Sequence, residues 1–132
     1  MAMIPEDIHD LFEKATFAHF ATMTPTGYPH VTPVWVDYDP ETNRLMVNTE
    51  RERRKTKNVE ANPKVGVSMV DPDNPYRFLS VFGDVDQITT EGAREQIDEL
   101  TRRYMGEDEY PNPIQSERVI LEIRPERVFS SA

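Results

Sequence analysis

The chain contains no cysteine, and this absence excludes several kinds of chemistry. Without thiols there is no disulfide scaffold, no thiolate metal site and no cysteine nucleophile. Only 5 of the 132 residues are glycine, and neither a phosphate-binding loop nor a dinucleotide-binding fingerprint is present. The three histidines, His9, His19 and His30, lack the spacing of metal ligands, and hydrolase motifs such as Gly-x-Ser-x-Gly do not occur. We therefore assign no catalytic residue and no metal site, and we expect any demanding chemistry to come from a bound cofactor.

Long apolar runs and basic charge are also scarce. No stretch reaches the roughly 18 apolar residues of a membrane helix, and residues 1–7 have neither the basic start nor the apolar segment of a signal peptide. The 15 basic and 24 acidic residues give a net charge of −9, which disfavours binding to nucleic acids and anionic membranes. These properties predict a cytoplasmic protein, and the length predicts a single domain over residues 1–132.

The chain is predicted to be mainly β-structure. Eleven prolines divide it into short pieces, and the alternation of apolar residues predicts six strands. These strands cover residues 17–24, 28–38, 44–49, 64–70, 76–88 and 118–124. Helical periodicity predicts one helix over residues 5–14 and another over residues 91–105. Because short antiparallel strands usually avoid exposed edges by closing on themselves, we predict a six-stranded Greek-key barrel with peripheral helices.

One segment is strongly basic in this otherwise acidic chain. Five of the 15 basic residues lie within residues 51–57, after a predicted strand and before a predicted helical turn. The segment also contains the hydroxyl of Thr56. Cationic side chains and a hydroxyl at the start of a helix are groups that bind a phosphate monoester. The same residues also fit a solvated turn that offsets acidic neighbours, and composition alone leaves both interpretations open.

A second distinctive segment covers residues 27–36. Pro29 and Pro33 cannot donate backbone hydrogen bonds, so a strand that contains them is expected at an edge of the sheet. Trp35 lies among β-branched residues, a pattern typical of a core aromatic side chain. A strand edge beside a phosphate site could instead present free backbone groups to a flat heterocycle, so the role of Trp35 stays open at this point.

Together these segments resemble the flavin- and deazaflavin-dependent oxidoreductases of the pyridoxamine 5'-phosphate oxidase-like split-barrel family. The resemblance covers nearly the whole chain. The matching segments are the opening helix, Ala21-Thr22 before the Gly27-x-Pro29 turn, Pro33-Val34-Trp35, Asn48-Thr49, residues 53–58, Asn62-Pro63, residues 118–123 and Arg127-Val128. The compact form is similar to the branch that uses the deazaflavin coenzyme F-420. The substrate-binding arginine and histidine of true pyridoxamine phosphate oxidases have no convincing counterpart near this C-terminus.

The resemblance implies a split barrel that works as a homodimer with a cofactor, coenzyme F-420 or FMN, at the subunit interface. It implies hydride transfer between that cofactor and a small organic acceptor. The residues implied to bind the cofactor phosphate are Arg53, Arg54, Lys55, Thr56 and Lys57. The residues implied to border the ring are Val34, Trp35, Asn48 and Thr49, and residues 76–78 of the partner chain are a weaker candidate.

Two other functions stay open from the sequence. One is a non-enzymatic carrier of a flavin or a haem-related ligand, and the other is a small barrel that binds anions or single-stranded RNA through residues 51–57. Between the two cofactors, the deazaflavin carries extra carboxylates in its lactyl and polyglutamate tail. Arg51, Lys57 and Arg77 exceed the needs of one phosphate, so the sequence favours coenzyme F-420.

Overall fold

The computed structural model describes residues 1–131, which form seven strands, three α-helices and one 3₁₀ helix. The strands are β1 (Ala18–Met23), β2 (Pro29–Val34), β3 (Val36–Asp39), β4 (Arg44–Glu50), β5 (Lys64–Asp71), β6 (Asn74–Thr89) and β7 (Arg118–Ser130). The helices are the 3₁₀ helix (Glu6–Ile8), α1 (Asp10–Glu13), α2 (Arg54–Ala61) and α3 (Ala93–Met105). Within these residues, every helix is too short or too polar to cross a membrane.

All seven strands form one antiparallel sheet in the order β2-β1-β5-β6-β7-β4-β3. Strand β4 lies beside β7 rather than beside β5, which is a Greek-key arrangement. The two edge strands, β2 and β3, are consecutive in the chain and are separated only by Trp35. The sheet must therefore curl until its edges meet at Trp35, which makes it a split barrel. The predicted mainly β Greek-key barrel is confirmed.

The predicted count of six strands is wrong, because the predicted strand over residues 28–38 is divided at Trp35. Val34 pairs with β1, whereas Val36 pairs with β4 on the other side of the split. Both valines are buried, so the alternation of apolar side chains continues across the change of partner. Periodicity therefore contains no sign of the break, which only the pairing of the backbone reveals.

Alternate strand residues point into the barrel and form its core. Fully buried side chains come from the whole length of the chain. The largest are Phe20, Ile8, Leu11, Leu45, Met69, Leu79, Leu100, Leu121 and Ile123. Burial of each such side chain contributes about 1.5–3 kcal/mol. The core cluster thus joins the N-terminal helices to the sheet, and the buried residues of α3 pack outside this cluster.

The helices differ from the predictions in two respects. The predicted helix over residues 5–14 is a 3₁₀ helix followed by the single turn of α1, because Ile8 and His9 donate their N–H groups three residues back. The expected turn after the basic segment is a helix of eight residues that begins inside it, at Arg54. Helix α2 is fastened to β1, since the Asn58 amide donates to the Thr22 hydroxyl at 2.9 Å. The basic side chains are therefore held by a rigid element.

Candidate functional site

A cavity of about 240 Å³ opens between the start of α2, the ends of β2 and β4, and the loop that follows α3. It brings together six of the nine predicted cofactor-binding residues. These are Val34, Trp35, Asn48, Thr49, Arg53 and Lys55, and the remaining lining residues are Phe17, Pro33, Ile97, Met105, Tyr110, Asn112 and Arg118. Residues that lie far apart in the sequence therefore converge on one concave surface, which is the candidate functional site.

The start of α2 lies at the polar side of this cavity. Arg53 is the N-cap residue, but no side chain caps the helix and its first turn contains no acidic residue. The chain turns sharply into the helix because the Glu50 carbonyl accepts hydrogen bonds from the Arg53 N–H (3.1 Å) and the Thr56 hydroxyl (2.7 Å). An uncapped helix start presents N–H groups and a positive dipole end, and basic side chains reinforce both.

Three cations line the cavity, and a buried carboxylate lies beside two of them. Glu50 lies 3.7 Å from Arg53 and 3.4 Å from Arg118. Among residues 1–131, no carboxylate lies within ion-pair distance of Lys55, which is half-buried. Burial lowers the pKa of the Lys55 ammonium, and repulsion from Arg53 and Arg118 lowers it further. The cavity therefore carries excess positive charge that an anionic group would neutralise.

Glu50 connects the cavity to the loop that follows α3. Its carboxylate accepts hydrogen bonds from the N–H groups of Gln115 (3.0 Å) and Ser116 (2.7 Å) and from the Ser116 hydroxyl (3.2 Å). Burial raises the pKa of this carboxyl, but those hydrogen bonds and the nearby Arg118 outweigh burial and hold the pKa below its usual value. Glu50 is thus a buried anion that fixes the loop against the cavity.

Aromatic side chains form the wall opposite the helix start. Trp35 stacks on Tyr104, with ring centroids 5.1 Å apart and planes at 16°, and meets the edge of Tyr110 at 6.4 Å. The Tyr104 hydroxyl donates to the Thr16 carbonyl at 2.6 Å, and burial raises the pKa of this phenol. Trp35 is therefore half-buried in a wall of the cavity and lies outside the hydrophobic core.

The structure places the other predicted phosphate-binding residues away from the cavity lining. Arg54 is exposed on α2. Thr56 is wholly buried, and its hydroxyl is used by the Glu50 carbonyl. Lys57 forms an ion pair with Glu52 at 3.3 Å. The rotation of the helix by about 100° per residue turns these side chains to other faces. Within one chain, Arg53 and Lys55 are the members of the basic segment that line the cavity.

Asn48 lines the cavity, but both N–H donors of its side-chain amide are used within the chain. Its Nδ2 donates to the Ala93 carbonyl (2.7 Å) and the Gln96 Oε1 (3.1 Å), and its Oδ1 accepts from the Arg118 Nε (2.9 Å). A side-chain amide has two N–H donors, and both are used here. Asn48 therefore has no N–H group left to donate to a ring, and its hydrogen bonds position α3 and Arg118.

Sequence reasoning missed two of the residues that shape the site. Arg118 begins a strand that is otherwise apolar, and Tyr110 lies in a proline-rich loop. Nothing in the local pattern distinguishes Arg118 from a surface arginine. The available signal was the run of buried β-positions after it, since a strand that starts with a charge and continues into the core begins at a rim of the barrel.

Comparison with known proteins adds relatives to this geometry. The family model described as pyridoxamine 5'-phosphate oxidase matches residues 4–132. Among solved structures, an F420 reductase is 35% identical with a TM-score of 0.83, and the match covers 96% of this chain and 98% of that one. Two further structures share the fold. HupZ from Group A Streptococcus is 23% identical with a TM-score of 0.71, and the match covers 98% of this chain and 94% of that one. General Stress Protein 26 from Bacillus anthracis is 19% identical with a TM-score of 0.70, and the match covers 95% of this chain and 91% of that one. No curated protein matches the chain.

Proposed function

Because the chain belongs to the pyridoxamine 5'-phosphate oxidase family, we propose that it is an oxidoreductase that binds a flavin-type cofactor, coenzyme F-420 or FMN. It transfers a hydride between this cofactor and a small organic acceptor. The observation that carries the proposal is the cavity itself, in which the unpaired ammonium of Lys55 lies at an uncapped helix start and faces an aromatic wall.

The phosphate end of such a cofactor fits the start of α2. Lys55 supplies a charge without a carboxylate partner, Arg53 supplies a second cation, and the first N–H groups of the helix supply donors. Charge-assisted hydrogen bonds to phosphate contribute about 1.5–3 kcal/mol each. A phosphate would also relieve the repulsion that lowers the pKa of Lys55. These residues are the ones expected to anchor the cofactor.

The ring end fits the aromatic wall and the edge strand β2. Trp35 and Tyr110 offer flat apolar surface, while Val34 and Thr49 border the cavity between them and the helix. When bound, the ring accepts or gives up the hydride. The surrounding side chains exclude water from one face of the ring and hold its orientation, and no side chain is required as a general acid or base.

Support for coenzyme F-420 over FMN now comes from similarity to the F420 reductase. The sequence argument relied on surplus cations, and the structure pairs each of them with acids of the same chain. Arg51 contacts Glu117 at 3.1 Å, Lys57 contacts Glu52, and Arg77 contacts two aspartates. That charge argument for an anionic tail therefore no longer holds, and the preference depends on the relative alone.

A homodimer would complete the site. The cavity of about 240 Å³ is smaller than the roughly 300–1,000 Å³ of typical cofactor pockets, so one chain encloses only part of such a ligand. The outward face of β2, β1, β5 and β6 is apolar, with Val31 and Phe82 54% and 53% exposed. Small residues between them form a shallow groove of about 230 Å³. Exposed apolar faces of this kind mark interfaces, and a two-fold dimer is the commonest occupant.

Titration with each cofactor tests the proposal. We expect the protein to bind coenzyme F-420 more tightly than FMN, and Lys55→Ala to weaken both about ten- to a hundred-fold. Lys64→Ala is the matched control, since Lys64 is an exposed lysine on β5 outside the cavity. Unchanged affinity in Lys55→Ala would show that the basic segment is only a solvated turn. Binding without reduction or oxidation of any acceptor would indicate a cofactor carrier.

Light scattering tests the homodimer. We expect twice the chain mass of 15.3 kDa for the protein with cofactor. Phe82→Glu places a charge in the apolar groove and should give monomers that bind the cofactor more weakly. A monomer in the wild-type protein with cofactor bound would contradict a site shared between subunits.

A further inference from the structure

Arg118 lines the cavity and contacts both the Glu50 carboxylate beside the helix start and the aromatic wall. Its side chain is only 8% exposed. It approaches Glu50 of the helix-start region at 3.4 Å, and its guanidinium lies over the Tyr110 ring, 5.0 Å from the centroid. Tyr110 in turn meets Trp35. Arg118 is therefore located at the junction of the two regions.

The position of Arg118 is fixed by groups of three segments, which are β4, α3 and the loop after α3. Asn48 of β4 accepts a hydrogen bond from its Nε at 2.9 Å, and α3 orients that same amide through Ala93 and Gln96. Glu50 pairs with Nη1, and the loop after α3 supplies the ring of Tyr110. A buried cation held in this way is preorganised and loses little freedom when it binds a ligand.

We infer that Arg118 binds the polar edge of the cofactor's ring system, through the N–H groups of Nη2, and does not bind the phosphate. This inference rests on the proposed function. Phosphate is recognised by two adjacent nitrogens of an arginine. Asn48 takes the Nε donor and Glu50 pairs with Nη1, so neither fork of the guanidinium keeps both of its nitrogens free. The donors that remain suit single acceptors such as ring carbonyl oxygens.

The distribution of charge supports the same division of roles. Glu50 balances the charge of Arg118, whereas Lys55 has no carboxylate partner in residues 1–131. A dianionic phosphate is therefore better matched to Lys55, and the neutral edge of a heterocycle to the Arg118–Glu50 pair. Asn48 and Glu50 act as positioning residues for this contact, because they fix the guanidinium without facing the ligand with free hydrogen-bonding groups.

The inference is tested with two pairs of ligands. In each pair, one member carries the phosphate and the other lacks it. FMN is compared with riboflavin, and coenzyme F-420 with its phosphate-free deazaflavin chromophore. For Arg118→Gln we expect both members of a pair to bind about ten- to a hundred-fold more weakly, with their ratio unchanged. For Lys55→Ala we expect the phosphate-bearing member to lose affinity while the phosphate-free member keeps it. Arg118→Gln should also lower the reduction potential of the bound ring, which spectroelectrochemical titration measures.

Two further variants serve as controls. Arg51→Gln removes a neighbouring arginine whose partner, Glu117, lies outside the cavity, and it should leave all four affinities unchanged. The double variant Glu50→Gln, Arg118→Gln removes both charges of the pair and keeps the test valid if the single variant folds poorly. It should give the same pattern of affinities as Arg118→Gln.

Each contrary result has a separate meaning. The inference is overturned if Arg118→Gln abolishes only the preference for the phosphate-bearing member, or if it changes neither affinity. Either result leaves the proposed function intact. Wild-type protein that binds no member of either pair overturns the proposed function and the inference with it.

Discussion

The molecule has two dense clusters of charge, and they are built in opposite ways. Beside the cavity, the carboxylate of Glu50 pairs with Arg53 and Arg118, whereas Lys55 has no carboxylate partner among residues 1–131. In the second cluster, which we call the Arg77 cluster, the charges compensate one another. Its members are Arg77, Lys14, Asp10, Asp71 and Asp73.

The pKa values of the two clusters differ in direction. In the Arg77 cluster, hydrogen bonds to Asp71 and Asp73 raise the pKa of Lys14. The Asp73 N–H, together with Arg77 and Lys14, lowers the pKa of Asp71 to about 2. In the cavity, burial and repulsion lower the pKa of Lys55. The charges of the Arg77 cluster are thus paired within one chain, whereas the cavity keeps an excess of positive charge, which is typical of a functional site.

The largest expected effect comes from removing Glu50, the buried carboxylate beside the cavity. Glu50→Ala leaves the N–H groups of Gln115 and Ser116 and the guanidinium of Arg118 without their acceptor. We expect the free energy of unfolding to fall by about 3 kcal/mol, measured by urea denaturation. Glu52→Ala, which breaks an exposed pair with Lys57, should change it by less than about 1 kcal/mol. Equal effects would contradict the central role of Glu50.

A second test uses the pH dependence of binding. Phosphate binds the protonated form of Lys55, and the pKa of Lys55 is lowered in the ligand-free protein. As pH rises through that lowered pKa, binding must take up a proton, so affinity should fall by up to about tenfold per pH unit. Calorimetric titration with FMN measures this fall. Riboflavin, which lacks the phosphate, should not show it, and neither should FMN with Lys55→Ala; a fall shared by all three would point to a group other than Lys55.

A third test compares the two half-buried lysines directly in the ligand-free protein. Lys55→Met removes an uncompensated charge and should raise Tm by a few degrees, because the ammonium is strained by burial and repulsion. Lys14→Met removes a partner of Asp71 and Asp73 and should lower Tm by a similar amount. Differential scanning calorimetry measures both. Changes of the same sign would contradict the contrast between the clusters.

The smallest expected effect is confined to acid. The folded pKa of Asp71 is about 2, below the ordinary value of 3.8. Its contribution to stability is therefore complete above pH 3.8 and is lost as pH falls from 3.8 towards 2. Asp71→Asn should reduce the acid sensitivity of unfolding in this window, measured by urea titrations between pH 5 and 2. A variant as acid-sensitive as the wild type would show that the pair with Arg77 does not contribute.

Much of the fold follows from local patterns. Apolar alternation predicts five of the strands in place, and the stripe that includes Ile97 and Leu100 predicts α3, which ends at Gly106 with a positive φ of 72°. The break at Trp35 could not be predicted, because Val34 and Val36 keep the alternation while their backbones pair with different strands. The alternation of apolar residues indicates which face of the sheet a side chain occupies, but it does not indicate which strand lies beside it.

The candidate site shows the same division. Residue chemistry identifies the basic segment, and the structure brings Arg53 and Lys55 from it into the cavity. Within that segment, the rotation of the helix turns Lys55, Thr56 and Lys57 in different directions. The order of residues alone gives these three side chains the same expected role. Arg77 was expected to add a cation to the cofactor site. It forms ion pairs with Asp71 and with Asp10, which lies 67 residues away in the sequence.

The sequence by itself determined the mainly β character, the absence of thiol chemistry and the presence of one strongly basic segment, because these depend on composition and on periods of two to four residues. Only the tertiary structure decided which charges are compensated. The local sequence around a lysine does not indicate whether distant carboxylates reach it. Aspartates 57 and 59 residues away reach Lys14, whereas no carboxylate of residues 1–131 reaches Lys55. Charge compensation acts through space over a few ångströms, so the path of the chain and not the order of its residues gives Lys14 two carboxylate partners and gives Lys55 none among residues 1–131.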